Sequence, residues 1–270
     1  MDDPTRAPSP PPLSAPDQLR RDLAEARAQG HSRAKADAAA RACAWGGAGV
    51  FVASLLYFLF SYDVTFVKPV DGGGGLAAVI WNVVLFSVFA LHHSVFARSG
   101  IRDAIQRRWP TLERSLYVWT ASLLLNVTCA LWRPVGGDVW LVYGWPAIFL
   151  RLLHFGGIVL AVMSAAAIDI WELSGVKQIT DAGSKDPAYT DDFKTTGPYG
   201  FVRHPIYSGW FLIVFAVPHM TMTRLVFAIV SSVYVLIAIP FEERSLLASS
   251  AGAYERYTAR VKFRLVPGIY

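Results

Sequence analysis

Two compact polar groups stand out in an otherwise apolar sequence. The first is Arg203-His204-Pro205, inside GPYGFVRHPIYSGW (Gly197 to Trp210). The second is Glu242-Glu243-Arg244, in FEER (Phe241 to Arg244), and between them runs an apolar stretch broken at Pro218. Charged groups at the edges of so apolar a stretch are costly unless they face a partner or a polar cavity. A residue before proline is driven away from helical geometry, so His204 is expected extended or in a turn. Pro205 can then open the next helix, whose first N–H groups and positive dipole end suit an anionic ligand group. Arg203 adds a permanent charge matched to a carboxylate. Tyr199, Tyr207 and Trp210 offer aromatic faces that stack a base or stabilise a cation. If the apolar arms form a helical hairpin, the two groups meet at one end. They are then either a binding site or an interfacial ion-pair network that orients the hairpin.

A second candidate is His92-His93, in LHHSVFAR (Leu91 to Arg98). Neighbouring helical residues point about 100° apart, so a shared metal is disfavoured; the open readings are one histidine lining a cavity or an interfacial histidine with no chemistry. Cys43 and Cys129 read as small buried hydrophobes, and two lone cysteines make neither a disulfide framework nor a zinc site.

The elements that must position these groups are membrane helices. Of 270 residues, 54% are hydrophobic and 17% charged. Ala42 to Tyr62 carries no charge over a length that crosses a hydrocarbon core as a helix. Leu76 to Ala97, Ser115 to Trp132 and about Pro146 to Ile170 are similar, and Ile206 to Thr223 and Leu225 to Phe241 form two further arms. The expected fold is an all-α polytopic bundle of five to six membrane segments with a C-terminal helical hairpin. Ile206 to Val217 is too short to span alone, so that hairpin is either half-membrane or complete with an embedded turn.

The net charge of +5 does not point to nucleic acid, because the basic residues sit in loops where the positive-inside rule uses them. Arg98, Arg102, Arg107, Arg108 and Arg114 crowd one connection, and Arg244, Arg256, Arg260, Lys262 and Arg264 the tail. Both termini and the candidate site are therefore expected on the cytoplasmic side of a bacterial inner membrane. Trp140, Tyr143 and Trp145, with Arg133-Pro134, read as an aromatic belt on the far side. Residues 1–40 read as an extension: Met1 to Pro16 disordered, then a solvated helix from Asp17 to Ala40 interrupted at Gly30. Gly46, Gly47 and Gly49 allow close helix contact in the first span. Gly72 to Gly75 is a turn, without the Lys-Ser/Thr and helix of a phosphate loop. The polar connection Trp171 to Thr196 has the length of a lid or binding loop.

At GPYGFVRHPIYSGW and EERSLLASSAGAYERYTARV the chain resembles the isoprenylcysteine carboxyl methyltransferase superfamily of integral membrane enzymes, over about Gly197 to Pro267. LHHSVFAR, Glu113 to Tyr117 and WRPVGGDVW (Trp132 to Trp140) are more like its bacterial branch of methanethiol S-methyltransferases and NnrU-like proteins. The resemblance implies a methyltransferase domain over 41–270, with 170–270 as its cofactor-binding part and S-adenosylmethionine as methyl donor. It implies cofactor-binding roles for Tyr199, Val202, Arg203, His204, Tyr207, Glu242, Glu243 and, in the loop, Gln178. Asp169-Ile170-Trp171-Glu172 stands where that branch carries an Asn-His-Phe-Asp-type segment, and the missing histidine leaves the acceptor open.

Methyl transfer to a thiol from a sulfonium is an in-line displacement, so positioning and desolvation dominate. Arg203, His204 and Glu242 are the candidate catalytic residues. Arg203 would favour a thiolate, and His204, His92 or His93 would serve as base. The expected partners are the bilayer and either a small thiol such as methanethiol or a lipid-like acceptor such as an isoprenylcysteine carboxylate. Two other readings compete: an NADPH-dependent sterol-type reductase, which carries a similar RHP-Y motif, and a non-catalytic membrane protein.

Overall fold

The computed structural model describes residues 15–68, 70, 72–96, 105, 107–108, 112–177, 196–250 and 252–270, with main chain only for 15–37, 95 and 172. Helix α1, Ala15–Phe60, continues into a π-helical turn, Ser61–Thr65. It passes Gly30 without the expected break. A glycine inside a helix costs about 1 kcal/mol against alanine, which Ala-rich flanks offset. Helices α2 (Gly75–Phe96) and α3 (Glu113–Ala130) follow. Strand β1 (Asp138–Leu141) precedes α4 (Trp145–Ile168) and a single turn α5 (Ile170–Leu173). The C-terminal part holds a 3-10 turn (Gly197–Gly200), α6 (Pro205–Phe215), β2 (His219–Thr221), α7 (Met222–Ser249) and α8 (Ala253–Arg260).

Among the described residues, four stretches are long and apolar enough to cross a membrane: Ala38–Thr65, Gly75–Ser94, Trp145–Ile168 and Met222–Ser249. Helix α3 is more polar and buries Ser115, Ser122 and Thr128. At 11 residues α6 reaches only about 17 Å, too little to cross alone. The outer faces suit lipid. Ile80, Val84, Val88 and Leu91 expose a helical stripe on α2, and Ile148, Leu152, Phe155, Val159 and Val162 expose one on α4.

The fold is mostly helical but not wholly so. β1 and β2 pair antiparallel, Trp140 opposite Met220, and Val142 N–H donates to Pro218 C=O at 2.8 Å. The residues expected only to turn the hairpin thus give backbone groups partners beyond the helix ends. Trp140 also leaves the expected aromatic belt: its Nε1–H donates to Val217 C=O at 2.9 Å. Tyr143 and Trp145 remain 75% and 78% exposed.

The core is aromatic and centres on Phe227 of α7, which is fully buried. Phe58, Tyr62, Phe66, Phe86, Trp132 and Trp210 all pack rings against it. Gly46 and Gly47 lie against Trp119 of α3, whereas nothing meets Gly49. The closest helix crossing is α4 on α6. A Cβ on Gly209 would stand 2.6 Å from the Gly157 carbonyl oxygen, and one on Gly157 2.7 Å from that of Gly209. Near the start of α7, buried Arg224 donates to Tyr62 C=O (2.8 Å) and His219 C=O (2.6 Å). It also pairs with Asp63 at 3.3 Å, and His154 of α4 meets the same carboxylate at 3.3 Å.

Candidate active site

Arg203 and His204 form the turn between the 3-10 segment and α6. Their N–H groups donate to Phe263 C=O and Arg264 C=O, each at 2.9 Å, so the C-terminal tail fixes the turn. Ser208 Oγ–H adds a bond to Leu265 C=O at 2.6 Å. His204 lies outside helical geometry (φ −126°, ψ 62°) with Pro205 first in the helix, in keeping with the exclusion of a pre-proline residue from the helical region. Helix α7 outruns the apolar arm and continues through Pro240 to Ser249, although the proline removes one helical hydrogen bond and crowds the preceding turn. Glu242 and Glu243 are therefore helical.

The two polar groups meet. Glu243 forms ion pairs with Arg203 Nε and Arg264 Nη2, each at 2.8 Å, and hydrogen bonds with Arg264 Nε at 2.9 Å and His204 Nε2 at 3.2 Å. It is buried. Glu242 differs: its side chain is 45% exposed, with His204 Nδ1 at 3.8 Å. Tyr207 Oη–H donates to it at 3.0 Å. No Arg or Lys lies within ion-pair reach of Glu242 among the described residues. The His204 imidazole stands between the two carboxylates, stacked on Tyr207 at 5.5 Å and 13°.

Several expectations change here. Arg203 does not await a ligand carboxylate, since Glu243 holds it and its Nη1 donates to Val261 C=O at 3.4 Å. Trp210 is no stacking platform: it stacks on Phe58 at 4.9 Å and donates to Ser231 Oγ at 3.1 Å. Arg244 sits over Phe241, at 5.7 Å. Tyr199 is half-buried, feels the Glu242 charge, and accepts from Tyr257 Oη–H at its carbonyl (2.9 Å). Val202 is buried. Gln178, and the Trp171 to Thr196 connection beyond Lys177, lie outside the described residues.

Sequence reasoning did not single out Arg264, which stood only as one of several tail cations. Its hydrogen bond to Glu243 pushes the guanidinium above its usual range. Beside it, burial pushes the Tyr257 phenol up to about 12, so it stays neutral and acts as a donor.

A second polar group joins α2 to α3 and α7. Tyr117 Oη lies 2.8 Å from His93 Nδ1, and Tyr234 Oη lies 3.0 Å from Ser94 Oγ. Tyr117 and Tyr234 both feel the Glu242 charge. The two histidines diverge as adjacent helical residues must. His92 packs on Phe96 at 4.4 Å, and its ring nitrogens have no hydrogen-bond partner among the described residues. Tyr117 entered the sequence reading only as the end of the Glu113 to Tyr117 segment, without a role, and Tyr234 not at all, because a tyrosine near an apolar run carries no pattern of its own.

Asp169, at the departure from the Asn-His-Phe-Asp-type segment, has φ +97°, the one positive φ of a non-glycine among the described residues. Its carboxylate accepts from Trp171 N–H at 3.0 Å and Lys177 Nζ at 2.9 Å. These bonds hold a strained turn that ends α4.

A separate apolar cavity of about 680 Å³ adjoins the same turn, lined by Leu160, Phe201, Val202, Pro205, Leu236 and Leu265 among others. The residues that build the polar cluster through His204 and Tyr207 thus border this cavity through Val202 and Pro205.

Fold and site define a polytopic helical membrane protein with a carboxylate–histidine–tyrosine site at one end of its helices. Comparison with known proteins gives the family. The chain is 35% identical to methanethiol S-methyltransferase 2 of Bradyrhizobium diazoefficiens over 229 residues, covering 82% of this chain and 86% of that one. It is 36% identical to the methanethiol S-methyltransferase of Mycobacterium tuberculosis, over 79% of this chain and 93% of the relative. Similarity extends to nurim of Danio rerio, at 26% identity over 70% of each chain. The chain belongs to the methanethiol S-methyltransferase family. Neither a family model nor a solved structure matches it.

Proposed function

We propose that this protein is an integral membrane methyltransferase that uses S-adenosylmethionine to methylate methanethiol, giving dimethyl sulfide. The observation that carries this reading is Glu242: a half-exposed carboxylate with no Arg or Lys in ion-pair reach among the described residues, beside Tyr207 and His204. That set fits the donor. S-adenosylmethionine brings an ammonium, a sulfonium and ribose hydroxyls, which a carboxylate and aromatic faces complement. Tyr199, Val202, His204, Tyr207 and Glu242 would hold it, with Gln178 from the loop. Arg203 and Glu243 would support them from behind, since they already satisfy each other.

When bound, the cofactor supplies an activated methyl group on sulfur. The chain supplies geometry. His204 Nε2 donates to Glu243, leaving Nδ1 turned toward Glu242. His204 Nδ1 and the Glu242 carboxylate are the proton acceptors for a thiol in this site, with His92 and His93 farther out. Basic residues of α8 and the tail share the site's end of the helices, which supports a cytoplasmic site in the bacterial inner membrane.

Headspace gas chromatography of cells expressing the protein and fed methanethiol tests the reading. Dimethyl sulfide above the vector control is expected, and its absence together with methylation of other thiols would refute the acceptor. Tryptophan fluorescence titration is expected to show S-adenosylhomocysteine binding tighter than NADPH; the reverse order would favour a reductase. His204→Ala and Glu242→Ala are expected to lose cofactor binding while still inserting into membranes.

One observation favours a second acceptor class. A cavity of about 680 Å³ with apolar walls far exceeds what methanethiol fills and suits a lipid-like acceptor. Labelled methyl donor offered with a prenylcysteine discriminates between the two.

A further inference from the structure

The apolar cavity of about 680 Å³ and the polar cluster are separate compartments that share a wall. None of Tyr199, His204, Tyr207, Glu242 and Glu243 is among the residues that line the cavity. Its one hydroxyl, on Ser208, is already given to Leu265 C=O at 2.6 Å. The cavity sits at hydrocarbon depth. Its wall residue Leu236 lies about two turns, roughly 10 Å, before Glu243 on α7, and Leu160 lies inside the α4 span. Phe201, Leu236, Val266 and Tyr270 line it and are also exposed, so it opens at the outer surface, where α7 exposes Val233 and Ile237 as well. Cations stand near its polar end. Arg260 and Lys262 are exposed on either side of buried Val261, with no carboxylate in ion-pair reach among the described residues. Lys262 precedes the wall residue Leu265 by at most about 10 Å of chain.

We propose that this cavity is a binding site for an anionic phospholipid, with one acyl chain in the cavity and the phosphate on Lys262 and Arg260. An empty apolar cavity forfeits dispersion contacts that a hydrocarbon chain restores, and the bilayer presents such chains at its mouth. Basic side chains at the membrane surface then favour an anionic headgroup over a neutral one. The lipid has a structural consequence. Phe201 and Val202 lead into the Arg203–His204 turn, and Leu265 and Val266 follow the Phe263 and Arg264 carbonyls that hold it. All four line the cavity, so a chain inside it braces the turn from behind. A prenyl acceptor that used this cavity would displace the lipid, which separates the two occupants by experiment. The site stands whether or not the protein transfers methyl groups.

The test uses the full-length protein, delipidated in detergent and then offered phosphatidylglycerol, phosphatidylcholine or inorganic phosphate. Phosphatidylglycerol at roughly four times its Kd should raise the thermal midpoint by about 2–4 °C. Phosphatidylcholine at the same concentration should do less, and inorganic phosphate nothing. Lys262→Ala and Arg260→Ala should each weaken phosphatidylglycerol binding about five-fold. Arg133→Ala is the control: it is exposed too, but Val135 beside it bonds Thr223 at the other end of α7, so binding should not change. Leu160→Trp fills the cavity and should abolish the phosphatidylglycerol shift. Val266→Trp, which blocks the mouth, answers the same question if Leu160→Trp does not fold. No shift with phosphatidylglycerol, equal shifts with both lipids, a shift with inorganic phosphate alone, or unchanged binding in the tryptophan variants would overturn the site. Displacement of phosphatidylglycerol by N-acetyl-S-farnesylcysteine, with methylation of that compound, would make the cavity an acceptor pocket instead.

Discussion

Glu242 and Glu243 are neighbours in sequence with opposite fates. About 100° of rotation around α7 separates them. That angle sends Glu243 into the Arg203–Arg264–His204 cluster and leaves Glu242 half-exposed beside Tyr207. The two carboxylates should respond differently to the same substitution. Glu243→Gln leaves two guanidiniums facing a neutral amide and should cost about 2 kcal/mol, a charged hydrogen bond discounted for the partial exposure of Arg264. A lowered thermal midpoint in detergent would register it. Glu242→Gln keeps an oxygen for Tyr207, so stability should change by less than about 1 kcal/mol. S-adenosylhomocysteine binding should instead weaken about ten-fold or more, the loss of a charge-assisted contact. Calorimetry and thermal unfolding on both variants decide the matter; stability loss in Glu242→Gln with intact binding would reverse the roles. The sequence marks both residues as exceptional in apolar surroundings. It does not say which one faces inward, since that depends on α7 staying helical past Pro240.

The helices act as positioning devices, and α6 is the decisive one. Its start carries His204 and Tyr207, and its middle is pressed onto α4 at Gly209 and Gly157. The sequence displays Gly209 within YSGW and Gly157 in a pair with Gly156, but nothing in it matches one to the other. A methyl group on Gly209 would meet the Gly157 carbonyl oxygen at 2.6 Å, backbone that cannot step aside. Gly209→Ala should therefore cost about 1–3 kcal/mol and shift α6, lowering both folded yield and cofactor affinity. Gly156→Ala is the matched control, because nothing lies within 4 Å of the added Cβ. Equal behaviour of the two variants would deny the crossing its role. The pre-proline geometry of His204 was legible for a local reason: two adjacent residues determine it. The β1–β2 pairing and the inward turn of Trp140 were not, because each depends on a partner about 80 positions away.

At the scale of the whole molecule, α7 carries a charged cluster at each end. Arg224 lies 19 residues before Glu243, roughly 28 Å along a helix, close to the thickness of a hydrocarbon core. The Arg224–Asp63–His154 group and the Glu243 group then mark the two faces of the bilayer, with the aromatic core around Phe227 between them. Arg224 also joins α7 to β2 and to the π-helical turn, where it bonds Tyr62 C=O, so Arg224→Met should cost at least about 2 kcal/mol. The apolar runs disclosed the long helices in the sequence, because length and hydropathy are one-dimensional properties. The clamp itself was hidden, since Asp63, His154 and Arg224 look like ordinary loop-end residues. Orientation follows from the same geometry and can be measured. Tyr143, 75% exposed, lies at the Arg224 end, and Lys262, also exposed, belongs to the tail that fixes the Arg203–His204 turn. If the positive-inside rule holds, Tyr143→Cys reacts with a membrane-impermeant maleimide in intact cells, after the outer envelope is opened. Lys262→Cys should react only once the inner membrane is permeabilised. The native thiols set the background: Cys129 is buried and Cys43 half-buried. Labelling of Lys262→Cys in intact cells, with protection of Tyr143→Cys, would place the site on the outer face and require a methyl donor that the cytosol does not deliver.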